Sequence, residues 1–153
     1  MAHLTSDNWI SLGGQPIRDI RSRIQKRLDD DKFTFHVGTD SKAYIDHTVI
    51  TTTICFREPR RGALVAYQRN KINNFNNITE RLLHETLVSL EAAQIVQTIT
   101  GTPPTIHADV NTKENALSYK MLSVIMGMVQ GMGYPIKVKP DAWAADIADM
   151  FTR

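Results

Sequence analysis

The sequence contains a single cysteine, Cys55, and no apolar run long enough to cross a bilayer. One cysteine excludes a disulfide framework within the chain. The first residues also lack the pattern of a secretory signal peptide. We therefore expect a cytoplasmic protein.

Motifs of several large enzyme classes are absent as well. The 153 residues contain no Walker loop, no G-x-G-x-x-G, no G-x-S-x-G and no zinc-ligand spacing. The formal net charge of +2 permits a nucleic-acid partner without demanding one. The length and the 42% hydrophobic content are typical of one globular domain with a substantial core.

One stretch organises the rest of the chain, residues 32–42, K-F-T-F-H-V-G-T-D-S-K. Apolar and polar residues alternate up to Val37, which predicts a half-buried strand that stops at Gly38. Asp40 then follows at the mouth of the strand, where a carboxylate is poorly solvated unless a cation lies beside it. Asp40 is therefore a candidate metal ligand, although Asp40 and Ser41 could also cap a turn.

The N-terminal part reads as an appendage to this strand. Residues 1–14 are polar and predict a loose lead, and Pro16 suits the first turn of an amphipathic helix. Its basic face and the acids 29–31 are typical of solvated surface. We therefore divide the chain into a lead with a helix, residues 1–31, and a main domain, residues 32–153.

Two strands and a long helix follow. Residues 48–57 and 63–68 predict an antiparallel hairpin, and the asparagine-rich residues 70–77 predict a loop. Residues 78–99 predict a helix with Thr79 as its N-cap. Glu85 falls within the apolar stripe of this helix, so it is either buried and paired with a cation or marginal to the stripe.

The last third alternates strands and helices. Residues 105–110 predict a strand that presents His107 and Asp109 on one face. Residues 113–132 predict a helix, in which Asn111 or Thr112 is the cap and the G-x-x-x-G at 127–131 allows close packing on the sheet. The core residues predicted in this helix are Leu117, Met121, Val124, Ile125, Met128 and Val129. Residues 135–139 predict a fifth strand, and residues 141–151 a final helix that contains Asp146 and Asp149.

Acids thus stand at four recurrent places: after the first strand, on the long helix, after the fourth strand and on the last helix. Carboxylates that cluster repel one another unless a cation is bound between them. Oxygen ligands favour Mg²⁺ or Mn²⁺ over zinc. Two such ions can activate water and stabilise the leaving oxygen of a phosphodiester.

Four motifs resemble the YkuK-like family, which is regarded as ribonuclease H-like. They are V-G-T-D-S-K, H-E-T, I-H-A-D-V-N and the closing K-P-D-A-W-A-A-D-I-A-D-M-F-T-R. The resemblance covers residues 32–153. It implies an α/β fold with a central mixed five-stranded sheet, in the order β-β-β-α-β-α-β-α, flanked by helices, with the N-terminal helix as an addition.

The resemblance also implies a set of site residues. Asp40 resembles the acid of the first strand, Glu85 that of the central helix and Asp109 that of the fourth strand. For the fourth acid, Asp149 best matches the YkuK-like ending, whereas Asp146 better matches ribonucleases H proper. Lys42, Asn111 and His107 are candidates for contacts to phosphate or to the ligands.

Three functions are consistent with these residues. The first is a nuclease with two Mg²⁺ or Mn²⁺ ions that hydrolyses DNA or RNA. The second is a non-catalytic nucleic-acid-binding or scaffolding module on the same fold. The third is that of a structural, recombination-type partner that resembles Holliday-junction resolvases, and it requires a homodimer.

Overall fold

A single mixed sheet of seven strands forms the centre of the molecule in the computed structural model, which describes residues 4–5, 8–28 and 33–152. The acidic run 29–31 lies outside these residues. Across the sheet the strand order is β2-β1-β5-β4-β3-β6-β7. The strands are β1 (Trp9–Ser11), β2 (Pro16–Ile17), β3 (Thr34–Ala43), β4 (Thr48–Glu58), β5 (Gly62–Ile72), β6 (Thr105–His107) and β7 (Ile136–Lys137).

Helices cover both faces of this sheet. They are α1 (Ile20–Leu28), α2 (Ile78–Thr100), α3 (Leu122–Gly131) and α4 (Trp143–Thr152), and a 3-10 turn (Leu117–Met121) precedes α3. The main core joins α1, α2 and α3 to one face, where Val37 and Ile54 are fully buried. A smaller core joins α4 to the other face through Cys55, Val65 and Ala144. None of the described helices is long and apolar enough to cross a membrane.

The first predicted strand is longer than its pattern suggested. β3 continues through Gly38 to Ala43, because residues 39–43 pair with residues 48–52 of β4. The prediction that the strand stops at Gly38 was therefore wrong, and Asp40 lies within a strand rather than at its mouth. Side-chain alternation places Asp40 on the face that α4 covers and Ser41 on the face that α2 covers.

Gly38 is required by a close approach between β3 and α4. A Cβ at this position would lie 2.5 Å from the carbonyl carbon of Ala144 and 2.5 Å from the backbone nitrogen of Ala145. The Thr53 hydroxyl also donates to the Ala144 carbonyl oxygen at 3.1 Å. The beginning of α4 is thus seated directly on the backbone of the sheet.

The N-terminal lead is not loose in the described residues. Ile10 of β1 pairs with Tyr67 of β5, and Trp9 is fully buried in the main core. Pro16 lies in β2 rather than in a helix. The helix begins after Asp19, whose carboxylate accepts a hydrogen bond from the Arg21 backbone nitrogen at 3.0 Å. The division of the chain at residue 31 stays a prediction, since residues 29–32 are not described.

Two further boundaries differ around the long helix. β5 extends to Ile72, because its backbone keeps pairing with β4 as far as Thr48. The predicted loop 70–77 is therefore shorter than expected. Asn77, not Thr79, caps α2: its side-chain oxygen accepts from the Glu80 backbone nitrogen at 2.9 Å.

The segment after β6 was predicted least well. β6 ends at His107, and regular helix begins only at the 3-10 turn. Leu117 and Val124, predicted as core, are 81% and 46% exposed. A Cβ at Gly127 or Gly131 would meet no atom within 4 Å, so the predicted packing of G-x-x-x-G on the sheet was wrong.

Alanine substitution should have opposite effects at Gly38, which lies against α4, and at Gly127, which lies in open space. We expect Gly38→Ala to destabilise the fold by about 1–3 kcal/mol or more, because α4 must move away from the sheet. Gly127→Ala, in open space on a helix, should stabilise by about 0.5–1 kcal/mol. Urea unfolding of both variants checks this; equal effects would contradict the close approach at Gly38.

Candidate metal site

Three carboxylates from separate elements meet at one end of the sheet. Asp40 comes from β3, Glu85 from α2, and Asp109 from the segment that follows β6. Each contributes one oxygen, and these oxygens all lie within 4.8 Å of one another. The three positions are those for which the sequence predicted acids at a common site.

The early end of β6 makes this meeting geometrically feasible. β6 runs parallel to β3 and ends where His107 pairs with Gly38. Beyond that level, the edge of β3 at Asp40 has no neighbouring strand on the β6 side in the described part of the chain. The Asp40 carboxylate can therefore meet Glu85 around the edge, although the two residues start from opposite faces.

Asp40 is almost fully withdrawn from water. It is 6% exposed, and one of its oxygens accepts a hydrogen bond from the Thr152 hydroxyl at 3.1 Å. Burial, and next the negative charge of Asp109, raises the pKa of Asp40 to about 6. The carboxylate is consequently costly to ionise unless a cation is present.

The Glu85 carboxylate has more polar contacts than that of Asp40, yet its pKa is also raised. Its Oε2 accepts a hydrogen bond from the Ser41 hydroxyl at 2.8 Å, and the Arg81 Nε lies 3.4 Å from the same oxygen. Arg81 also donates to the Ser41 carbonyl oxygen at 2.8 Å, which fixes the guanidinium. Burial nevertheless outweighs Arg81 and raises the pKa of Glu85 to about 8.

The other oxygen of Glu85 lacks a partner. Oε1 is buried and accepts no hydrogen bond from any described residue. A small cavity of about 10 Å³ is lined by Glu85, Asp109 and Thr39 among others. That volume is close to the minimum for one water molecule.

Asp109 has its own cation. The Lys139 ammonium lies 2.7 Å from Asp109 Oδ1, and this hydrogen bond raises the pKa of Lys139. Lys139 follows β7, the strand next to β6, so the sheet itself places this lysine beside the carboxylate.

These features fit a divalent cation. The donors are oxygens only, which suits hard cations of the Mg²⁺ class. The unpartnered Oε1 of Glu85 has its hydrogen-bonding capacity unused, and burying such a group alone is unfavourable. A bound cation would satisfy this oxygen and relieve the repulsion between Asp40 and Asp109.

Neither candidate for the fourth acid, Asp149 or Asp146, belongs to the group of three carboxylates. Asp149 lies outside the group of three, yet its charge contributes to raising the pKa of Asp40. Asp146 is exposed, and its charge contributes to raising the pKa of Lys139. The charges of both acids therefore act on residues of the site. The assignment of the fourth position to Asp149 stays a prediction.

His107 does not lie where a phosphate could reach it. It is fully buried; its Nδ1 accepts from the Ala144 backbone nitrogen at 3.2 Å, and its Nε2 lies 2.9 Å from His36 Nδ1. These bonds place the proton of His107 on Nε2 and that of His36 on the nitrogen facing Thr34. Burial lowers the pKa of His36 to about 4 and that of His107 to about 3, so both are neutral.

The pair supports α4 instead. The Trp143 ring centroid lies 4.6 Å from the centroid of each imidazole, at the point where α4 begins. The predicted phosphate contact of His107 is therefore replaced by a structural role. The predicted alternation of His107 and Asp109 along one strand also does not apply, because β6 ends at His107.

Two other predicted contacts lie near the surface. Lys42 is exposed on β3, two residues beyond Asp40, and its ammonium is 5.5 Å from the centroid of the Tyr44 ring. Asn111 is partly exposed, and its side-chain oxygen accepts from the Lys113 backbone nitrogen at 3.0 Å. A phosphate contact by either residue stays a prediction.

The chain matches a known protein family over most of its length. The model of the ribonuclease H-like family matches residues 15–153. The chain belongs to the ribonuclease H-like family. This ribonuclease H-like chain is also similar to the uncharacterized protein YkuK of Bacillus subtilis (strain 168), with 23% identity over an alignment covering 89% of the chain and 90% of YkuK. The predicted resemblance and fold class are thus confirmed, with two extra strands in the sheet.

Sequence reasoning missed the residues that hold the acids. Arg81 stands four residues before Glu85, a spacing that pairs side chains on a helix and could have been noticed. Lys139 and Thr152 are different, because each meets its acid only through the sheet order and the seating of α4. No local pattern marks those two residues.

The raised pKa of Glu85 predicts an unusual dependence of stability on pH. In the metal-free protein the folded state keeps a proton on Glu85 that the unfolded state releases above about pH 4.5. The contribution of Glu85 to the free energy of unfolding should therefore fall as the pH rises from 5 to 8, by on the order of a few kcal/mol. Below about pH 6.5 the buried neutral His36 and His107 act in the opposite sense, so the Glu85 contribution is read as the difference between the wild type and Glu85→Gln. Glu85→Gln, which resembles the protonated form, should remove most of this fall.

Urea unfolding in EDTA at several pH values provides the measurement. Glu114→Gln, at an exposed position, is the matched control and should leave the slope unchanged. A Glu85→Gln variant with the wild-type slope, or one whose stability relative to the wild type falls as the pH rises over this range, would contradict the prediction.

Proposed function

We propose that this chain is a divalent-metal-dependent nuclease that hydrolyses phosphodiester bonds of DNA or RNA. The family match and the convergence of Asp40, Glu85 and Asp109 support this function. The observation that carries it is the buried Oε1 of Glu85, which has no hydrogen-bond partner among the described residues although the Glu85 carboxylate belongs to the cluster.

The metal would be held by Asp40, Glu85 and Asp109, with Asp149 as the predicted fourth ligand. Mg²⁺ or Mn²⁺, most simply two ions, fits a donor set made only of oxygens. Ions of this kind bound between carboxylates lower the pKa of water and stabilise the charge that develops on the leaving oxygen.

The surrounding residues position the acids for that task. The Thr152 hydroxyl orients Asp40 from α4, and Ser41 and Arg81 orient Glu85 from the opposite face. Lys139 holds Asp109 and adds a positive charge beside it. Because the acids are buried and anchored, little reorganisation is needed when charge develops in the reaction.

Metal binding and its dependence on Asp40 test the proposal directly. Calorimetric titration of Mn²⁺ should show binding by the wild type and at least a tenfold weaker affinity for Asp40→Asn, because one ligand charge is lost. Asp141→Asn, an exposed aspartate on the approach to α4, should bind like the wild type. Cleavage of DNA and RNA oligonucleotides should require Mn²⁺ or Mg²⁺ and disappear in Asp40→Asn.

The folded state of Asp40→Asn is checked by its circular dichroism and unfolding midpoint. Absence of Mn²⁺ binding by the wild type, with and without nucleic acid, would remove the nuclease proposal.

One observation favours a second function, a non-catalytic nucleic-acid-binding or scaffolding module. The Lys139 ammonium already neutralises Asp109 at 2.7 Å. In such a module, Lys139 and a protonated Glu85 together would stabilise the acidic cluster without any metal.

Replacing Lys139 separates the two functions. In a metal site the ammonium repels the incoming ion, so Lys139→Gln should tighten Mn²⁺ binding about 2–10-fold and destabilise the metal-free protein. Lys113→Gln, at an exposed lysine, is the control. Destabilisation of Lys139→Gln that Mn²⁺ does not reverse would favour the module.

A further inference from the structure

A cationic strip lies on the sheet face beyond the end of α4. We give this name to the exposed side chains of Lys42 on β3 and of Arg69 and Lys71 on β5. α4 covers this face only as far as Phe151 and Thr152, where the Phe151 ring stacks on Tyr67 at 4.0 Å between centroids.

The strand register places the three cations side by side. Lys42 pairs with Val49, which in turn pairs with Lys71. Asp40 pairs with Thr51, which pairs with Arg69. Residues directly opposite each other in antiparallel strands share a face. Lys42 and Lys71 thus form one row across the sheet, and Asp40 and Arg69 form the next.

Contacts with α4 identify which face this is. Asp40 accepts from Thr152 of α4, and Tyr67 stacks on Phe151 of α4. By alternation, Lys42 follows Asp40 on the same face, and Arg69 and Lys71 follow Tyr67. The strip therefore lies on the same sheet face as Asp40, directly beyond it along β3 and β5.

The charges of the strip are not used within the described part of the chain. The ion pairs found there involve other cations: Arg61, Arg81, Lys139 and His47. The charge of Lys71 contributes to lowering the pKa of Asp46, at the tip of the hairpin between β3 and β4. The Asp46 carboxylate is itself hydrogen-bonded to His47. Lys42 lies over the Tyr44 ring, which leaves its ammonium donors available.

We propose that the cationic strip binds consecutive backbone phosphates of one nucleic-acid strand and leads that strand to the carboxylate site. The proposal rests on the proposed function and adds to it the path of the substrate and its single-stranded form.

Spacing favours a single strand. Neighbouring strands lie about 4.8 Å apart and alternate residues about 7 Å apart, so the Cα atoms of Lys42 and Lys71 are separated by about 10 Å and those of Arg69 and Lys71 by about 7 Å. Three cations at these separations form a patch that is narrow enough to contact one flexible backbone. The strip contacts phosphates rather than bases, so it should bind without sequence preference.

Salt-dependent binding of single-stranded oligonucleotides tests the strip. The probe is a fluorescein-labelled strand of about 20 nucleotides, as DNA and as RNA, measured by anisotropy in EDTA so that cleavage cannot occur. The triple variant Lys42→Gln, Arg69→Gln, Lys71→Gln should bind at least tenfold more weakly. Its slope of log K against log salt should be shallower by about 2, near 0.7 for each lost contact.

A second triple variant removes the same charge elsewhere. Arg18→Gln, Arg21→Gln, Lys26→Gln alters exposed cations on and beside α1, away from the site face. It should bind like the wild type with an unchanged slope. Equal losses in the two triple variants, or no loss in the strip variant, would overturn the proposal.

The same experiment separates failure of the strip from failure of the nuclease. Cleavage by the wild type with undiminished binding by the strip variant overturns the strip and leaves the nuclease standing. Binding that depends on the strip without any metal-dependent cleavage supports the strip and removes the nuclease. Equal affinity for the annealed duplex, or no binding by the wild type, overturns the single-strand path.

Discussion

Carboxylates that are buried with too few hydrogen-bond donors constrain what this site can hold. Asp40 and Glu85 are 6% and 5% exposed, and one Glu85 oxygen has no partner among the described residues. An unneutralised carboxylate in such a place is strongly unfavourable, so the site must hold protons, cations or both. The raised pKa values of both acids express the same constraint, because burial is the largest cause of each.

The fold creates this constraint through two local features of β3. Its neighbour β6 stops level with Gly38, which exposes an edge where acids from both faces can meet. Gly38 itself lets α4 sit on the sheet backbone, so that Thr152 at the far end of the helix reaches Asp40. The neutral pair of His36 and His107 packs against Trp143 and supports the start of the same helix.

Local patterns predicted the parts of this arrangement that depend on periodicity. The helical stripe left Glu85 either buried or marginal, and the structure places it among the buried residues. The hairpin of β4 and β5 followed from its β-branched residues. The predictions failed where tertiary contacts decide. β3 continues through Gly38 because β4 pairs with it. β1 forms because it pairs with the edge of β5, and β2 forms because it pairs with β1. The predicted phosphate contact of His107 failed because no local pattern shows that Ala144 and Trp143 of α4 pack against it.

The cations around the site divide into two groups according to burial. Arg81 and Lys139 are partly buried. Arg81 is bonded to Ser41 and paired with Glu85, and Lys139 is paired with Asp109, so both charges already stabilise the site. Lys42, Arg69 and Lys71 are exposed on the adjoining surface, where they do not offset the buried negative charge at short range. A ligand that brings both a divalent cation and a polyanion would complement the two groups at once. A nucleic-acid strand with its bound metal has that combination of charges, which is why we propose the carboxylate site and the cationic strip as parts of one substrate surface.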